Sequence, residues 1–154
     1  MLLRIPGQED MVITDLVLDF NGTIAWDGKI LPQVKERLEE LSASITIHVL
    51  TADSNGSASI ECESLPVKLQ IIGKSNQREA KADFVSSLGS GVVAMGNGVN
   101  DELMFRRTDL SMAVIGKEGC ATVTLLTSHI VVQDIADGLD LLLKHHRLIP
   151  TLRK

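Results

Sequence analysis

Short apolar runs, each closed by a polar or glycine-bearing turn, alternate with segments of helical periodicity, and this alternation constrains the chain more than any other feature. The runs are Val12–Leu18, Ile45–Leu50, Val67–Ile72, Val92–Met95, Leu110–Ile115 and His129–Val132. Apolar character on successive residues marks strands covered on both faces. Between the runs, Pro32 opens a helix in which Val34, Leu38 and Leu41 recur at helical spacing. The spacing predicts a second long helix over Gln77–Leu88, with Ala80, Phe84, Val85 and Leu88 on its apolar face. Shorter helices are expected through Ser59, over Asn100–Arg106 and over Gly119–Leu126, and a closing helix over Ile135–Leu143. Repeated β-α units of this length build a doubly wound α/β domain, with a mostly parallel sheet and helices on both faces. Right-handed crossovers then bring the C-terminal ends of the strands to one edge.

The 154 residues suit a single domain over residues 1–154, with a flap over about residues 20–31 that carries two glycines. Aromatic residues make up 3% of the chain, so the core is aliphatic. A net charge of -5 argues against nucleic acid and anionic membranes as partners. No run is long and apolar enough to span a membrane, and the N-terminus does not read as a secretory signal, so a cytoplasmic location is expected. Cys62 and Cys120 sit in no metal or redox spacing and read as free thiols. His48, inside a strand, reads as a core or helix-contacting histidine, and His145 and His146 as part of a polar helix end. Trp26 either packs over the crevice mouth or is half-buried packing. Asp53, Ser54 and Ser57 serve the turn after the second strand.

Asp19, Thr51 and Asn97 each fall just after a strand, and open α/β sheets bind ligands at that edge. Asp19 is followed by Phe20-Asn21-Gly22-Thr23, a turn whose backbone N–H groups suit an anion. A carboxylate beside such a nest repels phosphate unless a cation is present or the carboxylate attacks phosphorus. Asp19 could equally cap its own turn. Asn97 lies between Gly96 and Gly98, with Asn100 and Asp101 at the start of a helix, where both could act as caps. Alternatively, Asn97 and Asp101 face Asp19 and complete a hard-cation site. Thr51 could donate to a phosphoryl oxygen and Lys81 could offset phosphoryl charge, with Lys74 as a rival lysine.

Taken together, DFNGTI from Asp19, LTAD around Thr51, Lys81 in QREAKADFV and MGNGVNDELM from Met95 resemble the motifs of the haloacid dehalogenase-like superfamily. The resemblance is nearest to the phosphorylation domain of P-type ATPases and to soluble P-type ATPase-like proteins, and it covers nearly the whole chain. It implies a Mg²⁺-dependent phosphohydrolase in which Asp19 is the nucleophile. Asp19, Phe20, Asn21, Thr51, Ala52, Lys81 and Asn100 would hold the phosphoryl group. Asp19, the Asn21 carbonyl, Asn97 and Asp101 would surround Mg²⁺. The partner would be a phosphorylated small molecule or another phosphoryl donor.

Two departures qualify that implication. Most phosphatases of the superfamily have an acid where this chain has Asn21, and an amide cannot transfer the proton. The family pattern also has aspartate where this chain has Asn97, which weakens the expected cation site. Only 31 residues separate Asp19 from Thr51 and 29 separate Thr51 from Lys81, leaving no room for a cap domain. The bare core suggests a homo-oligomer. A fold kept for interaction or regulation, with turnover weak or lost, is the competing expectation.

Overall fold

The computed structural model describes residues 1–53 and 55–154. The chain begins with β1 (Leu2–Leu3) paired antiparallel to β2 (Met11–Val12), and then enters the core as β3 (Asp15–Asp19). The expected single strand over Val12–Leu18 is therefore divided. Residues 11–12 pair with the N-terminal segment, whereas those from Asp15 onward pair inside the main sheet.

Next comes a hairpin of β4 (Ala25–Trp26) and β5 (Lys29–Ile30). Asp27 and Gly28 join its strands at φ +50° and +73°, the primed turn that an Asp-Gly pair favours. The remainder runs α1 (Pro32–Ser42), β6 (Thr46–Thr51), α2 (Ser57–Cys62), β7 (Lys68–Ile71), α3 (Gln77–Leu88) and β8 (Val92–Gly96). A 3₁₀ turn at Val99–Asp101 leads into α4 (Glu102–Phe105). β9 (Leu110–Val114), α5 (Thr122–Thr127), β10 (Ile130–Val132), α6 (Ile135–Leu143) and α7 (His145–Leu152) complete the chain.

Six strands form one parallel sheet in the order β10-β9-β8-β3-β6-β7. Side chains alternate between its faces, as the two-residue period of a strand requires. Leu16, Leu18, Val93 and Met95 meet Val34, Leu38, Leu139 and Leu142 of α1 and α6. Val17, Ala94 and Ala113 meet Val85, Met104 and Phe105 of α3 and α4. The α1–α6 face is also tied by Arg37, which donates to Asp140 at 2.8 and 3.3 Å.

Three helical expectations are revised. The helix expected over Asn100–Arg106 is a 3₁₀ turn followed by one α-helical turn, because the Asp101 carboxylate reaches back to accept from the Asn97 and Gly98 N–H groups. The helix expected from Gly119 starts at Thr122, since residues 119–121 are held to Asn97. His145 and His146 open a separate helix, α7, with Pro150 inside it.

His48 is buried. Its Nε2 lies 2.7 Å from Asp15 Oδ1, and its ring meets Phe84 of α3 edge-on at 5.3 Å. Both cysteines are free, and burial raises the Cys62 thiol to about 11. Among the described residues no helix is long and apolar enough to cross a membrane, and no folded cap interrupts the core.

Leu139 is fully buried where α6 meets the sheet. Leu139→Ala is expected to cost about 2–5 kcal/mol in urea unfolding, through lost transfer energy and an unfilled cavity.

Candidate active site

Asp19 ends β3 and Thr51 ends β6, while Asn97 follows β8, and the parallel register brings all three to one edge. The chain builds outward from β3 through β6 and β7, then returns to β8 and builds the other way. That reversal of direction, between β3 and β8, is where an open α/β sheet forms a crevice. The crevice here has a volume of about 410 Å³. A second concavity of about 470 Å³, beside β7 and lined by Ile60, Leu65, Val67 and Leu69, contains none of the residues singled out from the sequence.

Lys81 organises the polar crevice. It projects from α3 and is 1% exposed, and its Nζ donates to Asp19 Oδ1 and Asp101 Oδ1, each at 2.6 Å. Burial works against the ammonium, but the charges of Asp19 and Asp101 outweigh it and hold Lys81 above the ordinary lysine range. Burial and the facing Asp19 charge push the Asp101 carboxyl up, opposed by Lys81 and by the Gly98 amide. The buried face of α3 is thus Lys81, Ala82 and Val85, with Ala80, Phe84 and Leu88 only partly covered. Phe84, Val85 and Leu88 pack against the core as expected, and a paired charge takes a further inward position. Lys74, the rival lysine, is exposed.

The other side chains are fixed from nearby elements. Thr23 donates to Asp19 Oδ2 at 3.0 Å and stands 3.3 Å from Asn97 Oδ1. Thr51 Oγ1 accepts the Asp53 N–H at 3.2 Å, which leaves the hydroxyl proton for another acceptor. Asp53 accepts from Ala58 N and Ser59 Oγ and so holds the start of α2, while Ser54 lies outside the described residues. Asn100 donates to Gln77 Oε1 at 3.0 Å, fastening the fourth motif to α3. Behind it, buried Glu102 accepts from Arg78 of α3 and from Arg106, and these two hold its carboxyl below the ordinary glutamate range.

Of the residues singled out from the sequence, Asp19, Asn21, Thr51, Ala52, Lys81, Asn97 and Asn100 line the crevice. Phe20 and Asp101 stand behind it. The Phe20 side chain is fully buried, and its carbonyl accepts from the N–H groups of Thr23, Ile24 and Ala25, which closes the first loop. Both Asp101 oxygens are engaged, one by Lys81 and the other by two backbone amides. That geometry makes Asp101 a holder of Lys81 and of the Gly96–Gly98 turn. Trp26 packs against the turn at Gly116, outside the crevice lining.

Thr23, Gln77 and Glu118 also belong to the site and were not foreseen. Thr23 lies inside the first motif, where its hydroxyl was a readable signal. Glu118 follows β9, and the strand-end rule that selected Asp19, Thr51 and Asn97 would have selected its turn as well.

No family model matches the chain. It is 53% identical over 62 residues to the uncharacterized protein MJ0073 of Methanocaldococcus jannaschii, covering 40% of this chain and 67% of that one. It is 52% identical over 40 residues to the uncharacterized protein MJ0072 of the same organism, covering 26% of this chain and 91% of that one. The chain belongs to one family with MJ0073.

Among solved structures, it is similar to the cobalt-bound deoxy-D-mannose-octulosonate 8-phosphate phosphatase of Haemophilus influenzae. The TM-score is 0.72 at 16% identity, over 92% of this chain and 94% of that one. The 3-deoxy-D-manno-octulosonate 8-phosphate phosphatase of Moraxella catarrhalis, solved with magnesium, phosphate and sugar acid, matches with a TM-score of 0.69 at 16% identity, over 90% of each chain. The catalytic domain of the CPx-ATPase CopB-B matches at 0.60 and 23% identity, over 73% of this chain and 45% of that one. The chain has the haloacid dehalogenase-like fold. The likeness runs along nearly the full length of the two phosphatases and less than half of the ATPase domain.

Lys81→Met should destabilise the protein by about 3–5 kcal/mol at pH 7, because two carboxylates would stay buried without their cation. Adding Asp101→Asn should recover part of that loss, as read by urea unfolding. Because the folded Lys81 pKa lies above the ordinary 10.5, the ammonium's own contribution should be fully present up to that pH, while the gap between wild type and Lys81→Met should narrow toward acid pH as the raised Asp101 carboxyl takes up its proton. The gap should also shrink as pH rises beyond the ordinary lysine value, through the folded one.

Proposed function

We propose that the chain is a phosphoryl-transfer enzyme, a phosphomonoester hydrolase that works through an aspartyl-phosphate on Asp19. The observation that carries this reading is the buried Lys81 ammonium, held 2.6 Å from Asp19 and Asp101 at the strand-end crevice. An ion pair that costly to bury has a use where negative charge must be gathered and moved. The carboxylate of Asp19, paired with Lys81 and oriented by Thr23, attacks the phosphorus. The bond to the leaving oxygen breaks, and water later cleaves the acyl phosphate, returning the carboxylate and releasing phosphate. Thr51 donates to a phosphoryl oxygen, and Lys81 offsets the transferring charge. Asn100, held by Gln77, keeps the fourth loop against α3.

The donor set also fits a hard divalent cation such as Mg²⁺. Asp19 and Asp101 share one ammonium, and Asp53 and Glu118 line the same crevice, so an incoming phosphate meets excess negative charge. The Asp19 carboxylate and the Asn97 amide oxygen share the Thr23 hydroxyl and offer the oxygen ligands that Mg²⁺ prefers, with waters to complete its shell. When bound, the cation would neutralise phosphoryl oxygens and reduce their repulsion from Asp19.

Asn21 sets the rate. Among the described residues its side chain makes no hydrogen bond, and an amide cannot protonate a leaving group or activate water. The reading therefore favours donors with good leaving groups, such as acyl phosphates, and a slowly hydrolysed phosphoenzyme. A second reading, a fold retained for regulatory binding, draws on the amides at positions 21 and 97.

Incubation with Mg²⁺ and acetyl phosphate, followed by acid quench and intact-mass measurement, separates the two. A phosphoryl adduct on wild type and none on Asp19→Asn supports the enzyme. Absence of both adduct and phosphate release supports the regulatory reading. Restoring the acid with Asn21→Asp should raise phosphate release from alkyl phosphomonoesters by roughly 10²- to 10⁴-fold.

A further inference from the structure

The turn after β9 brings to the crevice a carboxylate that the four motifs do not include. Gly116 and Gly119, at φ +57° and +79°, bracket Lys117 and Glu118. Glycine at both ends lets the backbone double back in the left-handed region. The two side chains diverge. Lys117 lies over the Trp26 ring of the flap, 5.7 Å from its centroid, whereas Glu118 lines the crevice with Asp19, Asn21 and Asn97. The Glu118 carboxylate occupies the space above Gly22. A Cβ on Gly22 would collide with it and stand 2.7 Å from Asn97 Nδ2. Among the described residues Glu118 has no ion-pair partner.

Asn97 holds this turn in place. Its Nδ2 donates to the Gly119 carbonyl at 3.2 Å, and its own carbonyl accepts from Ala121 N at 2.8 Å. The amide oxygen points the other way, to Thr23 and the Asp19 side of the crevice. An aspartate at position 97 could not donate to Gly119, and it would set a like charge beside Glu118. The amide at 97 and the carboxylate at 118 therefore account for each other: the crevice keeps a second carboxylate but takes it from another strand end.

We propose that Glu118 is a ligand of the divalent cation, directly or through one water, together with Asp19 and the Asn97 amide oxygen. The proposal rests on the phosphoryl-transfer reading of the same crevice. Glu118 is exposed and makes none of the fold's bonds, so its removal should leave the fold intact.

The test is titration calorimetry of Mg²⁺ alone into the full chain, with circular dichroism as the check on folding. Wild type should bind Mg²⁺, and Asp19→Asn should abolish binding. Glu118→Gln should weaken binding about tenfold or more. That loss should persist in about 0.5 M KCl, where a mere change of local field is screened. Glu118→Gln binding Mg²⁺ like wild type while Asp19→Asn does not would overturn the proposal and leave the phosphoryl-transfer reading standing. A loss that disappears in salt would also overturn it, since Glu118 would then act only through its field. Wild type failing to bind Mg²⁺ at all would overturn the proposal and the cation requirement together.

Discussion

The structure is organised around one buried ammonium. Lys81 sits 1% exposed between Asp19 and Asp101, which belong to two different strand-end loops. Such a group is tolerated inside a protein only if its partners are held in place. That requirement sets how α3 must sit: Gln77 grips Asn100, and Arg78 grips Glu102, so the first turn of α3 is fastened to the turn that carries Asp101. Asp101 in turn accepts from the Asn97 and Gly98 amides, which shapes the end of β8. The central strand, the fourth-motif turn and α3 are therefore positioned by one connected polar network.

That network also fixes the electrostatic character of the crevice. Lys81 is already shared by two carboxylates, and Asp53 and Glu118 line the same space. An oxyanion entering it gains from the ammonium and from Thr51 but meets several like charges. The balance favours phosphate only in company with a cation, which is why the proposed chemistry and the proposed cation site stand together.

Much of the fold was legible because apolar runs and helical periodicity are local signals. Gln77–Leu88 and Ile135–Leu143 are helices with the bounds the pattern implied, and all six strands pair in one sheet. The misses have non-local causes. Met11–Val12 separates from β3 because it finds Leu2–Leu3, a partner that no window of periodicity reveals. Phe84, Val85 and Leu88 of α3 pack against the core as the periodicity implied, but periodicity counts apolar residues and did not reveal the inward lysine, whose partners come from elsewhere in the chain. In the site, the strand-end rule located Asp19, Thr51 and Asn97. It could not tell a side chain that lines the crevice from one packed behind it, as Asp101 and the Phe20 ring are.

The amides at positions 21 and 97 look alike as departures from a motif, but the structure treats them differently. Asn97 uses both ends of its side chain, the amide nitrogen on Gly119 and the oxygen beside Thr23, and it stands next to a carboxylate supplied by another loop. An acid there would break a tether and create repulsion, so this amide belongs to the design of the site. Among the described residues, the Asn21 side chain makes no such bond, and it lines the crevice where a proton-transfer group would serve. On the proposed reading the two changes therefore act on different steps. Position 97 bears on how the cation and the turn after β9 are held, whereas position 21 bears on how quickly a leaving group departs and the phosphoenzyme is cleared. On that same proposed reading, a cation site kept without a proton donor favours taking up a phosphoryl group over releasing it.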